Sequence, residues 1–177
     1  MLNRHVASSR PRALVVASAA LLVWASIAAT ASAAPNKKTF SASVSPNPLI
    51  AGGSYSVAPR APIQYTLTNT SSSAELGSAN VTVPSGVAAS AVSTNAGTAL
   101  LVGTVIQLRN LSLSPGESAT VGVSAQVECA SNQAPYRWTT ATKQSNDFNG
   151  TGNDLAGTSP TSTVSGSCAL TFSKQPL

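Results

Sequence analysis

Histidine is nearly absent from this chain: the single one, His5, lies at the very start. Without an imidazole further on, Ser-His-Asp and Cys-His nucleophilic mechanisms are excluded for the rest of the sequence, as are ordinary zinc sites. No Ser-x-x-Lys occurs either. Charge is scarce as well, at 8% of residues, and only five positions are acidic: Glu75, Glu117, Glu128, Asp147 and Asp154. A carboxylate pair for glycoside cleavage needs two acids in one cleft with separated pKa values. Here Glu75 and Glu117 stand beside turns, and Glu128 has the outward parity of its strand. The expectation is a protein without catalysis and without a cofactor.

Beyond residue 33 there are no long Glu-, Lys- or Leu-rich runs of the kind that make helices. The formal charge of +5 also shrinks on inspection, because Arg4, Arg10 and Arg12 belong to the first twelve residues. The remaining seven Lys and Arg against five acids leave +2 (7 − 5). The largest surviving basic cluster is Lys37-Lys38, which argues against nucleic acid and against an acidic membrane surface as partners.

The N-terminal residues read as an export signal. The three arginines precede an uncharged apolar run from Ala13 to Ala29, and Ala31-Ser32-Ala33 offers the small residues that signal peptidase needs. The run falls slightly short of the ~20 residues that span a bilayer, so cleavage after Ala33 is expected rather than anchoring. Residues 1–33 are thus assigned as signal peptide and 34–177 as one secreted, extracellular domain without a membrane contact after cleavage. A chain of that length buries an adequate core.

What the sequence has in abundance is alternation. Ala119, Val121, Val123, Ala125, Val127 and Cys129 are separated by Thr120, Gly122, Ser124, Gln126 and Glu128. A period of two sends successive side chains to opposite faces of a pleated strand. The pattern recurs at Phe40-Ala42-Val44, Ile63-Tyr65-Leu67 and Ala79-Val81-Val83, each run ended by Pro, Gly, Asn or Ser. Leu100 to Leu113 is apolar but changes phase at Arg109-Asn110, as a bulge or turn requires. Ser114-Pro115-Gly116-Glu117 fits a type II turn leading into the 119–129 strand. Tyr136, Trp138 and Thr140 suggest a further strand, Asn146 to Ser159 the longest loop, Val164 a short strand, and Cys168 to Phe172 the last one. Seven to nine such strands predict an all-β, immunoglobulin-like antiparallel β-sandwich.

Two cysteines in an exported chain allow one intramolecular pairing, Cys129–Cys168. Both share parity with apolar neighbours, so both sulfurs are expected on core-facing sides. Their spacing, and Gly166 two residues before the second cysteine where a tyrosine corner would place Tyr, depart from immunoglobulin domains proper.

The stretches "APIQYTLTNTSSSAELGSANVTVPSGV" and "VIQLRNLSLSPGESATVGVSAQV" resemble repeat modules of bacterial surface proteins. Those modules combine a strand ending in Thr-Asn-Thr, a strand leading to Pro-x-Gly, and Leu-x-Pro-Gly-Glu-Ser before another strand. They belong to the cell-adhesion-related and conserved-repeat immunoglobulin-like families. The resemblance implies a β-sandwich serving as structural or adhesive module at the cell surface, with a wall or surface component as partner, and no catalytic residue. A monomer is expected.

Three constellations invite sharper readings. Asp147, Asn149, Thr151 and Asp154 place oxygens in a Gly/Asn-rich loop, as a calcium site would, but Thr158 stands where a bidentate Glu is expected. A loop whose side chains bond their own backbone accounts for the same residues. Trp138 with Tyr136, or Tyr55 with Phe148, offer a stacking platform for cell-wall polysaccharide, the alternative function, whereas strand parity places Trp138 and Tyr65 in the core. Asn69, Asn80, Asn110 and Asn149 each begin an Asn-x-Ser/Thr triplet, an acceptor only in a glycosylating host.

Overall fold

In the strand Ile63–Asn69 every odd-numbered residue is fully buried and every even-numbered one half-exposed, which is the pleat that the alternation of Ile, Tyr and Leu with Gln and Thr dictates. The computed structural model describes residues 37–129, 135–166 and 168. The expected signal peptide and the stretch Ala169 to Phe172 of the expected last strand lie outside them.

The strands follow one another as β1 Thr39–Ser45, β2 Leu49–Ile50, β3 Ser54–Tyr55, β4 Ile63–Asn69 and β5 Ser78–Thr82. Then come β6 Val87–Thr94, β7 Thr98–Val102, β8 Val105–Arg109 and β9 Ser118–Val127. The series ends with β10 Tyr136–Arg137, β11 Thr139–Lys143, β12 Asp154–Thr158, β13 Thr161–Ser162 and β14 Val164–Ser165. Nine of these have five residues or more, and no helix occurs among the described residues.

The protein is an all-β sandwich made from one curled sheet. One half is ordered β6-β9-β4-β1, with β3 beside the end of β9. The other half runs β12-β11-β5-β8-β7. They join where β1 pairs parallel with β12, Thr39 opposite Ala156 and Ser41 opposite Thr158. The long strands otherwise pair antiparallel. A second parallel contact sets β14 against β2.

The two halves close over one core. Ile63, Tyr65, Leu67, Val121 and Val123 from the first half face Val81, Ile106, Leu108 and Trp138 from the second, all fully buried. Each aliphatic side chain of this size contributes roughly 1.5–3 kcal/mol on burial. Tyr65 and Trp138 meet with ring centroids 6.1 Å apart and planes tilted by 40°. The Tyr65 hydroxyl shares a 2.6 Å hydrogen bond with Thr140 Oγ1, tying β4 to β11 across the core.

Three local expectations are corrected. The Cys129–Cys168 disulfide is present, its Cα atoms 5.6 Å apart, but Cys129 is exposed and Cys168 half-buried rather than core-facing. The ladder of β9 ends at Val127, and parity has no meaning once the chain leaves the sheet. The 146–159 segment is a loop only as far as Asn153, because β12 occupies its second half. Gly157 permits this: a Cβ there would lie within 2.6 Å of the Phe40 ring, so only glycine lets β12 approach β1. Finally, the single strand expected around Trp138 is two strands, β10 and β11, divided at Trp138 itself, whose N–H donates to the Pro160 carbonyl.

Candidate functional site

The phrases that carry the family resemblance meet at one corner. Asn69 ends β4, and its N–H donates to the Glu117 carbonyl while its own carbonyl accepts from Gly116 N–H at 2.8 Å. Its fully buried side chain donates from Nδ2 to the carbonyls of Ala74 and Leu113, each at 2.8 Å, and accepts from Ser71 N–H through Oδ1. The side-chain oxygen of Glu117 accepts from Ser114 N–H at 2.7 Å, closing the turn in which Gly116 has a φ of 87°. Thr-Asn-Thr and Ser-Pro-Gly-Glu are therefore two halves of one hydrogen-bonded corner. Asn69, a triplet asparagine, has no amide hydrogen left for another partner.

At the opposite end of β4 lies a groove of about 390 Å³. Pro46 and Pro48 from the β1–β2 turn, Ile50, and Pro59 and Pro62 from the β3–β4 loop line it, with Tyr55 beneath and Arg60 among the lining. The Tyr55 hydroxyl accepts from Ile50 N–H at 2.9 Å, which fixes the ring as a wall of the groove. Of the apolar lining, Ile50 is 39% exposed, and Ser45 and Gln64 add polar groups. Gly52, on the next turn, packs against the disulfide, a Cβ there meeting Cys168 Sγ at 2.8 Å. Sequence reasoning missed this groove. The four prolines were the available signal, but they come from two separate loops.

The Asp147 loop holds itself together. Asp147 Oδ1 accepts from Asn149 N–H at 3.2 Å and its carbonyl accepts from Gly150 N–H at 2.9 Å. The same carboxylate oxygen lies 4.0 Å from Arg109 Nε. Arg109 donates to the carbonyls of Ala79 and Leu108, and burial pulls its guanidinium below the ordinary value, with Asp147 opposing that shift. Arg109 and Lys143 both stand over the Phe148 ring, 5.4 and 5.9 Å from its centroid. Asp154 opens β12 opposite Lys143, while Asn149 and Thr151 are exposed. No group of three or more His, Cys, Asp or Glu side chains is placed to hold a metal among the described residues.

Trp138 cannot be a stacking platform. It is fully buried, and its Nε1 donates to Ser162 Oγ at 3.0 Å, itself fully buried. Tyr55 is buried in the groove wall, and Phe148 lines a different hollow with Phe40, Thr140, Lys143 and Asp154, so those two rings do not share a surface.

The class that these features define is a disulfide-bonded all-β sandwich module. No family model and no curated relative matches the chain. Among solved structures it is similar to a non-cellulosomal cohesin from the hyperthermophilic archaeon Archaeoglobus fulgidus. The likeness has a TM-score of 0.46 at 14% identity, covering 73% of this chain and 92% of the cohesin.

Proposed function

We propose that this chain is a non-catalytic extracellular β-sandwich, exported by its N-terminal signal and serving as a structural or adhesive module at the bacterial cell surface. The observation that supports this reading is the corner between Asn69 and Glu117. The residues most characteristic of the surface-module phrases bond to each other and to backbone, and so act on the fold. The proline groove suits docking: four prolines, Ile50 and Tyr55 dominate it, with Arg60 as its cation and no acidic residue in its lining.

A polysaccharide-binding role rests on Phe148, a half-exposed ring in a hollow that also offers Lys143 and Asp154 for hydroxyl groups. The two readings separate in one experiment. The secreted protein is incubated with purified cell wall, alongside Arg60→Glu and Phe148→Ala variants. The modular reading expects secreted product beginning at Ala34, and wall retention, where it occurs, that survives Phe148→Ala and weakens with Arg60→Glu. Retention abolished by Phe148→Ala and reversed by soluble wall sugar would transfer the assignment to carbohydrate binding.

A further inference from the structure

The two outermost strands of the curled sheet are β6 and β7, and they are unlike each other. β6 carries a register shift between Ala89 and Ala91, and a bulge of this kind blunts an edge against further pairing. β7 pairs with β8 in unbroken register from Thr98 opposite Arg109 to Val102 opposite Val105, and with no other strand among the described residues. The two meet through the two-residue loop Gly103-Thr104, where Gly103 has a φ of 59°. That hairpin makes Val102, Leu100 and Thr98 the hydrogen-bonded partners of β8. Ala99 and Leu101 therefore direct their N–H and C=O groups outward to the open edge.

Natural edge strands are guarded by lysine, proline or inward charge. None of these guards is present here: no charged residue occurs between Glu75 and Arg109, and β7 contains no proline. Instead Leu100 is 61% exposed and Val102 48%. We infer that β7 is a self-pairing edge, taking the β7 strand of a second copy of this chain in antiparallel register about Leu100.

Charge and register both accommodate a second copy as occupant. Two neutral edges meet without the repulsion that guards other edges. In the register centred on Leu100, Ala99 of each copy lies opposite Leu101 of the other. These are the residues whose backbone groups point outward, so the edges exchange hydrogen bonds in both directions. Leu100 then faces Leu100 as a close non-hydrogen-bonded pair, and Thr98 faces Val102. Both exposed apolar side chains gain a neighbour from the pairing, which extends one half of the sandwich into a sheet shared by two molecules. The sequence-based expectation of a monomer does not take this edge into account.

Sedimentation equilibrium on the secreted protein over a wide concentration range tests the pairing. The mass should rise toward twice that of one chain. Leu100→Lys should weaken association roughly tenfold or more, since two like charges then face each other and apolar contact is lost. Thr104→Lys, at the exposed hairpin tip, should leave it unchanged. The native protein has no free cysteine among the described residues, so a single introduced thiol reports register cleanly. Leu100→Cys should form an interchain disulfide much faster than Thr104→Cys. Circular dichroism confirms that each variant folds. A chain that stays monomeric, dimers that persist in Leu100→Lys, or equal cross-linking at positions 100 and 104 would each overturn the inference. A monomer that takes up a foreign strand peptide along this edge would overturn it too, assigning β7 to another partner.

Discussion

Asn69 and Leu113 are 44 residues apart in the chain, yet the side-chain amide of one donates to the carbonyl of the other at 2.8 Å inside the protein. The same amide serves Ala74, and its oxygen serves Ser71. Replacing Asn69 by Ala leaves the Ala74 carbonyl and the Ser71 N–H buried without these partners, each worth about 1–3 kcal/mol. It also takes from the Leu113 carbonyl one of two bonds, the other coming from Leu76 N–H. The expected result is a loss of about 3 kcal/mol or more in urea unfolding. Glu117→Gln, at an exposed acceptor that remains an acceptor, should cost less than about 1 kcal/mol. A mild Asn69→Ala variant would show that the corner does not hold the sandwich together.

The Trp138–Ser162 bond makes a second, separable prediction. Truncating a fully buried tryptophan to Ala should cost about 3–5 kcal/mol. Trp138→Phe keeps much of the ring volume and leaves Ser162 without its donor, for a smaller loss of about 1–3 kcal/mol. In wall-retention assays both variants should fail only to the extent that they unfold. Normal stability with lost retention would return Trp138 to the role of a ligand platform.

The parts of this structure that sequence revealed are those where period two survives intact. Strands β4 and β9 lie inside the sheet, and their buried faces are apolar series, broken only by Asn69 at the end of β4. Trp138 and Tyr65 could be assigned to the core by the same parity. Strand β6 was illegible because its composition is Ala, Ser and Thr around two valines and a bulge resets its phase. Strand β12 has one large apolar residue, Leu155, and exists because β1 and β11 supply both its edges. Disulfide pairing needed only two cysteines, whereas its exposure depended on where the ladder ends. The proline groove was hidden for a different reason: its wall is assembled from two loops that meet only after folding.

Linking residues 39 positions apart, the Cys129–Cys168 bridge should stabilise by about 4 kcal/mol in the chain-entropy model. Because Cys129 is exposed, a reductant should reach the bond in the folded protein. Alkylation should then label two thiols after reduction and none before, with a clear fall in the unfolding midpoint. Gly52→Ala should also destabilise, since its φ of 67° disfavours a side chain and the new Cβ would press on Cys168 Sγ. An unchanged midpoint after complete reduction would remove the bridge from the account of stability.

Calcium offers a test of the Asp147 loop. Two carboxylates, one of them already beside Arg109, supply too little charge for firm binding. The melting temperature should be the same in chelator and in millimolar calcium, because a ligand that binds only the native state must raise it. Asp147→Asn should likewise leave it nearly unchanged, as the Asx-turn bond to Asn149 N–H survives in the amide. A calcium-dependent rise abolished by Asp147→Asn would establish the site.

Alkaline pH acts on Tyr65. Burial raises its phenol well above the ordinary 10.0, and the hydrogen bond with Thr140 pulls weakly the other way. The folded state therefore keeps this proton where the unfolded chain gives it up. Its contribution to stability is fully present below about pH 10 and is lost progressively as pH rises above that toward the folded value. Wild-type unfolding free energy should be insensitive to this group near neutrality and fall steeply in strong alkali. Tyr65→Phe should begin about 1 kcal/mol lower at neutral pH, having lost the bond to Thr140. It should then decline less steeply, because phenylalanine has no proton to release in either state. Identical alkaline slopes in the two proteins would show that the tie across the core does not govern this transition.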